Sequence, residues 1–120
     1  MATPNLVNVD TITPKNNSAV LANTNRTDIV DVTAEYCAKV NTLLIGNADG
    51  TNDATVTVET SRDNGSSYVV FVKTVNVPAG STLSILPAPI WLDETDLLAV
   101  TASNADDISY FVSYEEMKDS

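Results

Sequence analysis

The sequence predicts an all-β fold: a single β-sandwich, jelly-roll or immunoglobulin-like, with an extended N-terminal arm. Three observations predict it. Apolar residues come in short runs rich in Val, Ile and Tyr, some of them alternating with polar residues at the period of a half-buried strand. Turn signals separate these runs about every 8–12 residues, which gives about eight or nine strands. No stretch sustains helical periodicity. At 120 residues the chain is long enough for one domain whose core needs neither disulfides nor a metal.

Residues 1–17, MATPNLVNVDTITPKNN, read as the arm. Pro4 and Pro14 oppose a helix and favour extended chain. Leu6, Val7, Val9 and Ile12 are too apolar for a solvated tail, so these four are the candidate partner-binding residues. They would lie on a neighbouring subunit, on another protein or back on the parent domain. The sandwich domain then occupies residues 18–120.

Within it, strands are expected at residues 18–22, 28–34, 36–46, 54–60, 67–75, 81–86, 97–102 and 108–114. Residues 54–60 alternate cleanly, with Val56 and Val58 on one face and Thr55, Thr57 and Glu59 on the other. Asn64-Gly65 readily takes positive φ and marks a hairpin turn before the run Tyr68-Val-Val-Phe-Val. Pro87-Ala88-Pro89 interrupts regular pairing, and the Ile90-Trp91-Leu92 cluster follows it. Ile108, Tyr110, Val112 and Tyr114 share a face of the last strand. The expected core is Val40, Leu44, Val56, Val58, Phe71, Leu83, Ile85, Val100 and Val112, with Trp91 buried beside its two apolar neighbours and Cys37 as a small buried hydrophobe.

Composition narrows the function classes. Sixteen Asp plus Glu against six Lys plus Arg give a formal net charge of -10. The basic residues stand singly, so the chain has no footprint for nucleic acid or for an anionic membrane. No apolar run approaches the length of a membrane helix, and the first residues lack the basic and apolar regions of a signal peptide. With no His, Ser-His and Cys-His pairs are impossible. No glycine-rich phosphate loop occurs. Asp49, Asn52 and Asp53 could ligate calcium, but no Glu stands at the twelfth loop position, and Asx residues are what a plain turn requires. Asp93, Glu94 and Asp96 read as a solvated acidic turn, and so do Asp106 and Asp107. No catalytic, cofactor-binding or metal-ligating residue is therefore assigned, and the chain is expected not to be an enzyme.

The opening MATPNLVNVDTIT, the middle LLIGNADGTNDATVTVETSRDNGSSYVVFVKTVNVPAGSTL and the close APIWLDETDLLAVTASNADDISYFVSYEEM resemble small β-sandwich virion proteins of tailed bacteriophages. The resemblance runs over nearly the whole chain and lies in the order of elements, none of which is a catalytic motif. It implies a structural protein of the virion. The implied role is that of a capsid decoration, or cement, protein on the capsid surface, made in the host cytoplasm, that stabilises contacts between subunits of the major capsid protein. Tail or neck attachment is the alternative, as is a carbohydrate- or receptor-binding sandwich. The resemblance implies no cofactor, and a homo-oligomer is expected, a trimer first and a dimer second.

Overall fold

The computed structural model describes residues 9–119 of the chain. Their strands are β1 (Val9–Val20), β2 (Thr27–Asp31), β3 (Tyr36–Asn47), β4 (Ala54–Ser61), β5 (Val69–Val77), β6 (Thr82–Ser84), β7 (Ile90–Leu92), β8 (Leu97–Ala102) and β9 (Ile108–Asp119). They form two antiparallel sheets, one ordered β1-β9-β3-β6 with β7 also on β3, the other ordered β2-β8-β4-β5. The chain crosses between sheets at nearly every connection, the β4–β5 hairpin being the main exception. This is the double-sheet arrangement of a jelly roll, and it bears out the expected single β-sandwich.

Local chemistry explains the elements. The β4–β5 hairpin turns at Asn64 (φ 56°) and Gly65 (φ 92°), the left-handed pair that the dipeptide predicts. Asp63 braces that turn. Its carboxylate accepts the Ser67 backbone N–H at 2.8 Å and the Ser61 and Ser67 hydroxyls at 2.8 and 2.6 Å. Those three bonds lower its pKa to about 2, the Ser67 hydroxyl contributing most. Pro87-Ala88-Pro89 splits one strand position into two short pieces, with β6 pairing residues 44–46 of β3 and β7 pairing residues 38–40.

The core lies between the sheets. Val40, Leu43, Ile45, Val56, Val58, Leu98, Val100, Ile108 and Val112 are buried in it, and Leu83, Ile85 and Tyr114 pack half-buried on its margin. Cys37 is buried, as its sequence context predicts, and burial followed by the Asp93 carboxylate raises its thiol pKa.

Three expectations about the core are corrected. Leu44 is half-buried, whereas Leu43 and Ile45 are enclosed. Register explains this: Val40 pairs with Tyr114 and Thr42 with Ser113, which leaves Asn41 as an extra residue on β3. The bulge reverses the parity of everything after it. Phe71 is 44% exposed for a related reason. Val58 pairs with Val72 and Glu59 with Val70, so Phe71 is the extra residue of a bulge on β5. Trp91 is 51% exposed. It lies opposite Lys39 on the outward face of β3 and β7, while Leu92 beside it turns into the core.

The boundary drawn at residue 17 does not mark a break. β1 runs from Val9 to Val20 and pairs with β9 throughout, from Val9↔Asp119 to Val20↔Ser109. Pro14 is compatible with this because β1 is an edge strand, where a missing N–H costs no ladder bond. Pro14, read as favouring extended chain, therefore sits within a strand, and Pro4 lies outside the described residues.

Candidate assembly surface

Both sheets end in open edges on the side where β5 faces β6 and β7. On this margin Val69 (65% exposed), Val70, Phe71 and Trp91 present apolar side chains to solvent. Isolated exposed apolar residues are ordinary, but a contiguous set of large ones on an unpaired sheet edge is the mark of an interaction surface. Of this set Phe71 and Trp91 line a cleft of about 600 Å³, together with Cys37, Thr60, Arg62, Ile90, Leu92, Asp93 and Asp96.

Bulge geometry builds this surface. A regular β5 would turn either Val70 and Val72 or Val69 and Phe71 inward. The additional residue at Phe71 and a second irregularity near Thr74, which has φ 47°, re-aim the strand. As a result Val72 and Val75 pack partly on the core while Val69, Val70 and Phe71 face out. One sequence signal pointed here: Tyr68-Val-Val-Phe-Val does not alternate, so a two-faced strand cannot bury all of it.

The margin carries charge of both signs, for Asp93 and Asp96 also line the cleft. β5 carries Lys73 and no carboxylate, and Arg62 lies at the rim of the cleft. Neither joins an ion pair among the described residues, whereas Lys15 and Arg26 are paired with Glu116 and Glu59 at 2.8 and 3.0 Å. Lys39 Nζ lies 5.9 Å from the Trp91 ring centroid, near enough for a cation–π contact.

The acidic residues considered as chemical candidates serve the fold. Glu94 is 2% exposed and Asp96 is also buried, so residues 93–96 are not the solvated turn that was expected. The reason is docking of this turn on residues 32–35. Thr95 N–H donates to the Val32 carbonyl at 2.8 Å, Val32 N–H donates to the Asp96 carbonyl at 3.1 Å, and the Glu94 carboxylate accepts the Glu35 N–H. Asp96 Oδ2 accepts the Asp93 N–H at 2.9 Å. Glu94 Oε1 has no hydrogen-bond partner among the described residues, a destabilising feature of an otherwise closed turn. In the loop considered for calcium, Asp49 Oδ1 accepts the Thr51 and Asn52 N–H groups at 2.8 and 3.2 Å, and Asp53 accepts the Ala79 N–H at 2.9 Å. These are Asx-turn and loop-closing bonds, and those at Asp49 lower its pKa.

Of the four candidate partner-binding residues, Leu6 and Val7 lie outside the described residues. Val9 opens β1, and Ile12 sits further along it, 61% exposed. They are not part of the β5 margin. β1 forms the opposite edge of its sheet.

No protein-family model and no curated protein matches the sequence. Among solved structures, the chain is similar to a subunit of the disulfide-linked pili of Bacillus endospore appendages, with 15% identity, 92% of this chain and 88% of that one covered, and a TM-score of 0.50. A pentameric capsid protein from metagenomic phage sequences, solved twice, aligns at 15% identity and a TM-score of 0.43. That alignment covers 95% of this chain but 63% of the capsid protein. At such identity the likeness to the pilus subunit speaks to the fold alone.

Proposed function

We propose that this chain is a structural, non-enzymatic virion protein of a tailed bacteriophage, a decoration protein that binds the outer surface of the capsid and stabilises contacts between major capsid protein subunits. The observation that carries this reading is the apolar β5 and β7 margin, with Phe71 and Trp91 exposed and Arg62 and Lys73 unpaired beside them. An acidic protein that gathers apolar area and free cations on one sheet edge is suited to a partner surface that is apolar with acidic groups at its rim. Burial there contributes about 25 cal/mol per Å² of apolar area, repeated over every copy on a particle. The resemblance to phage virion proteins supports the same reading.

Co-sedimentation tests it. The purified chain is expected to pellet with emptied heads of the phage whose genome encodes it and to stay in the supernatant with isolated tails. Phe71→Ser combined with Trp91→Ala should abolish pelleting while leaving the melting temperature nearly unchanged. Binding to tails alone selects the neck or tail alternative, and binding to neither particle rejects the virion reading.

One observation favours a second reading, a carbohydrate- or receptor-binding module. Trp91 and Phe71 stand exposed at a cleft that also holds Arg62, and aromatic faces beside polar groups are how such modules hold sugars and ligands. Quenching or a blue shift of the single Trp by host-surface glycans, without binding to heads, would select it.

A further inference from the structure

From the geometry of β1 we infer that this strand exchanges between copies of the chain, each copy laying its β1 on the β9 edge of another. The inference stands apart from the virion reading, since it concerns only self-association.

β1 is joined to the domain in an unusual way. Every residue from 11 to 20 is exposed, so no described side chain of the strand is enclosed on either face. The strand is held by its backbone ladder to β9, by the Lys15–Glu116 ion pair at 2.8 Å and by Asn17, whose amide donates to Tyr110 Oη at 3.1 Å and, at a long 3.5 Å, to the Ile29 carbonyl of β2. A ladder without burial belongs to the least stable part of a fold and is the part that opens locally. Only Leu21, just beyond the strand, is buried. Its N–H donates to the Ile108 carbonyl and its carbonyl accepts the Asp106 N–H, both at 2.8 Å.

The linker that follows is built to let go. Residues 22–26 are exposed and, apart from Ala22, polar; Asn25 N–H donates to Asn23 Oδ1 at 2.9 Å, and its carbonyl accepts the Thr27 hydroxyl at a long 3.4 Å. At its far end Arg26 is clamped by a two-pronged bond to Glu59 at 3.1 and 3.0 Å, with its guanidinium 3.8 Å from the Tyr68 ring centroid. Detachment of β1 with Leu21 from one domain therefore takes from β2 the long Asn17 bond to the Ile29 carbonyl and leaves the Arg26 clamp in place. The strand can remake every lost bond on a second copy, because that copy offers the same β9 edge and the same Ile29 carbonyl. Exchange of an identical terminal element is a low-cost route to association. The exchanged strand itself adds no net charge, since β1 carries Lys15 as well as Asp10, and Lys15 finds Glu116 on whichever copy it meets. Pro14 makes β1 an end strand in either arrangement, so the acceptor sheet closes and does not extend further.

Register makes the proposal testable. In a Cys37→Ala background, one chain carries Asn16→Cys and a second carries Ser113→Cys, two positions that pair directly across β1 and β9. The chains are mixed at about 1 mM, the effective concentration that tethering on a scaffold supplies, warmed together, and treated with a short bismaleimide. Exchange predicts a mixed 16–113 dimer far in excess of the 16–16 and 113–113 dimers. It also predicts little linkage when Ser113→Cys is replaced by Ser109→Cys, which pairs with position 20. Equal yields of all three dimers, or equal linkage at 109 and 113, would mean collision without register and would overturn the proposal. So would monomers alone.

Discussion

At the scale of single residues, Asp63 shows how one carboxylate sets a turn and gives it a pH dependence. Its native pKa is lowered from 3.8 to about 2 by the Ser67 and Ser61 bonds. The folded turn therefore keeps its charge at pH values where the unfolded chain already takes up a proton. Its contribution to stability is complete above about pH 5 and is lost as pH falls through 3.8 toward 2. Chemical denaturation between pH 5 and 2 should show this loss, and Asp63→Asn should remove that part of the slope while lowering stability at neutral pH. An unchanged slope would mean that the Ser67 bonds do not form in solution. The same scale shows where sequence reading stops. Asn64-Gly65 announces its turn because two positive φ values demand those residues. Glu94 announces nothing, because its burial depends on docking against residues far away in the chain.

At the scale of elements, parity decides which side chains are inside. Strand existence was readable from apolar runs and punctuation, and strands β3, β4 and β8 lie close to their expected spans, whereas β9 runs on to Asp119, past the expected end at residue 114. Facing was readable only up to the first bulge. β4 alternates from Ala54 to Val58, and Val56 and Val58 are buried as expected, but Glu59, expected on the other face with Thr55 and Thr57, is buried as well. On β3 and β5 an added residue inverted the pattern, and Leu44 and Phe71 came out misplaced. A paired substitution tests this assignment. Leu43→Ala should cost about 2–5 kcal/mol, because it empties an enclosed position. Leu44→Ala should cost roughly 1 kcal/mol or less, as for a side chain with one face already in solvent. Equal losses in urea titrations would place Asn41 back in register. The apolar margin escaped sequence analysis for the same reason: its aromatic residues looked like core until their faces were known. Residues 9–17, read as part of an extended arm, pair with β9, and nothing in their apolar pattern or in Pro14 announced that pairing.

At the scale of the whole molecule, charge and apolar edges pull in opposite directions. A net charge of -10 keeps copies apart, while the two open margins favour contact. Salt shifts this balance, because the screening length falls from about 30 Å at 0.01 M to about 3 Å at 1 M. Sedimentation equilibrium is therefore expected to give a rising average mass as sodium chloride increases across that range. The same rise should follow at low salt as pH approaches the isoelectric point near 4.1. A mass that falls with salt would show that charge pairing, not apolar contact, drives association.

The extra residue at Phe71 has one more consequence. Val69 to Val72 is an uncharged, β-branched and aromatic run on an unprotected strand, the composition from which fibrils template. A flat version of that strand would offer any passing copy an uninterrupted row of amides and carbonyls. The kink at Phe71 breaks the row, and Lys73 beyond it adds a repelling charge to any stack of identical strands. The distortion that brings an aromatic ring to the surface thus also guards this stretch of chain against stacking edge to edge with copies of itself.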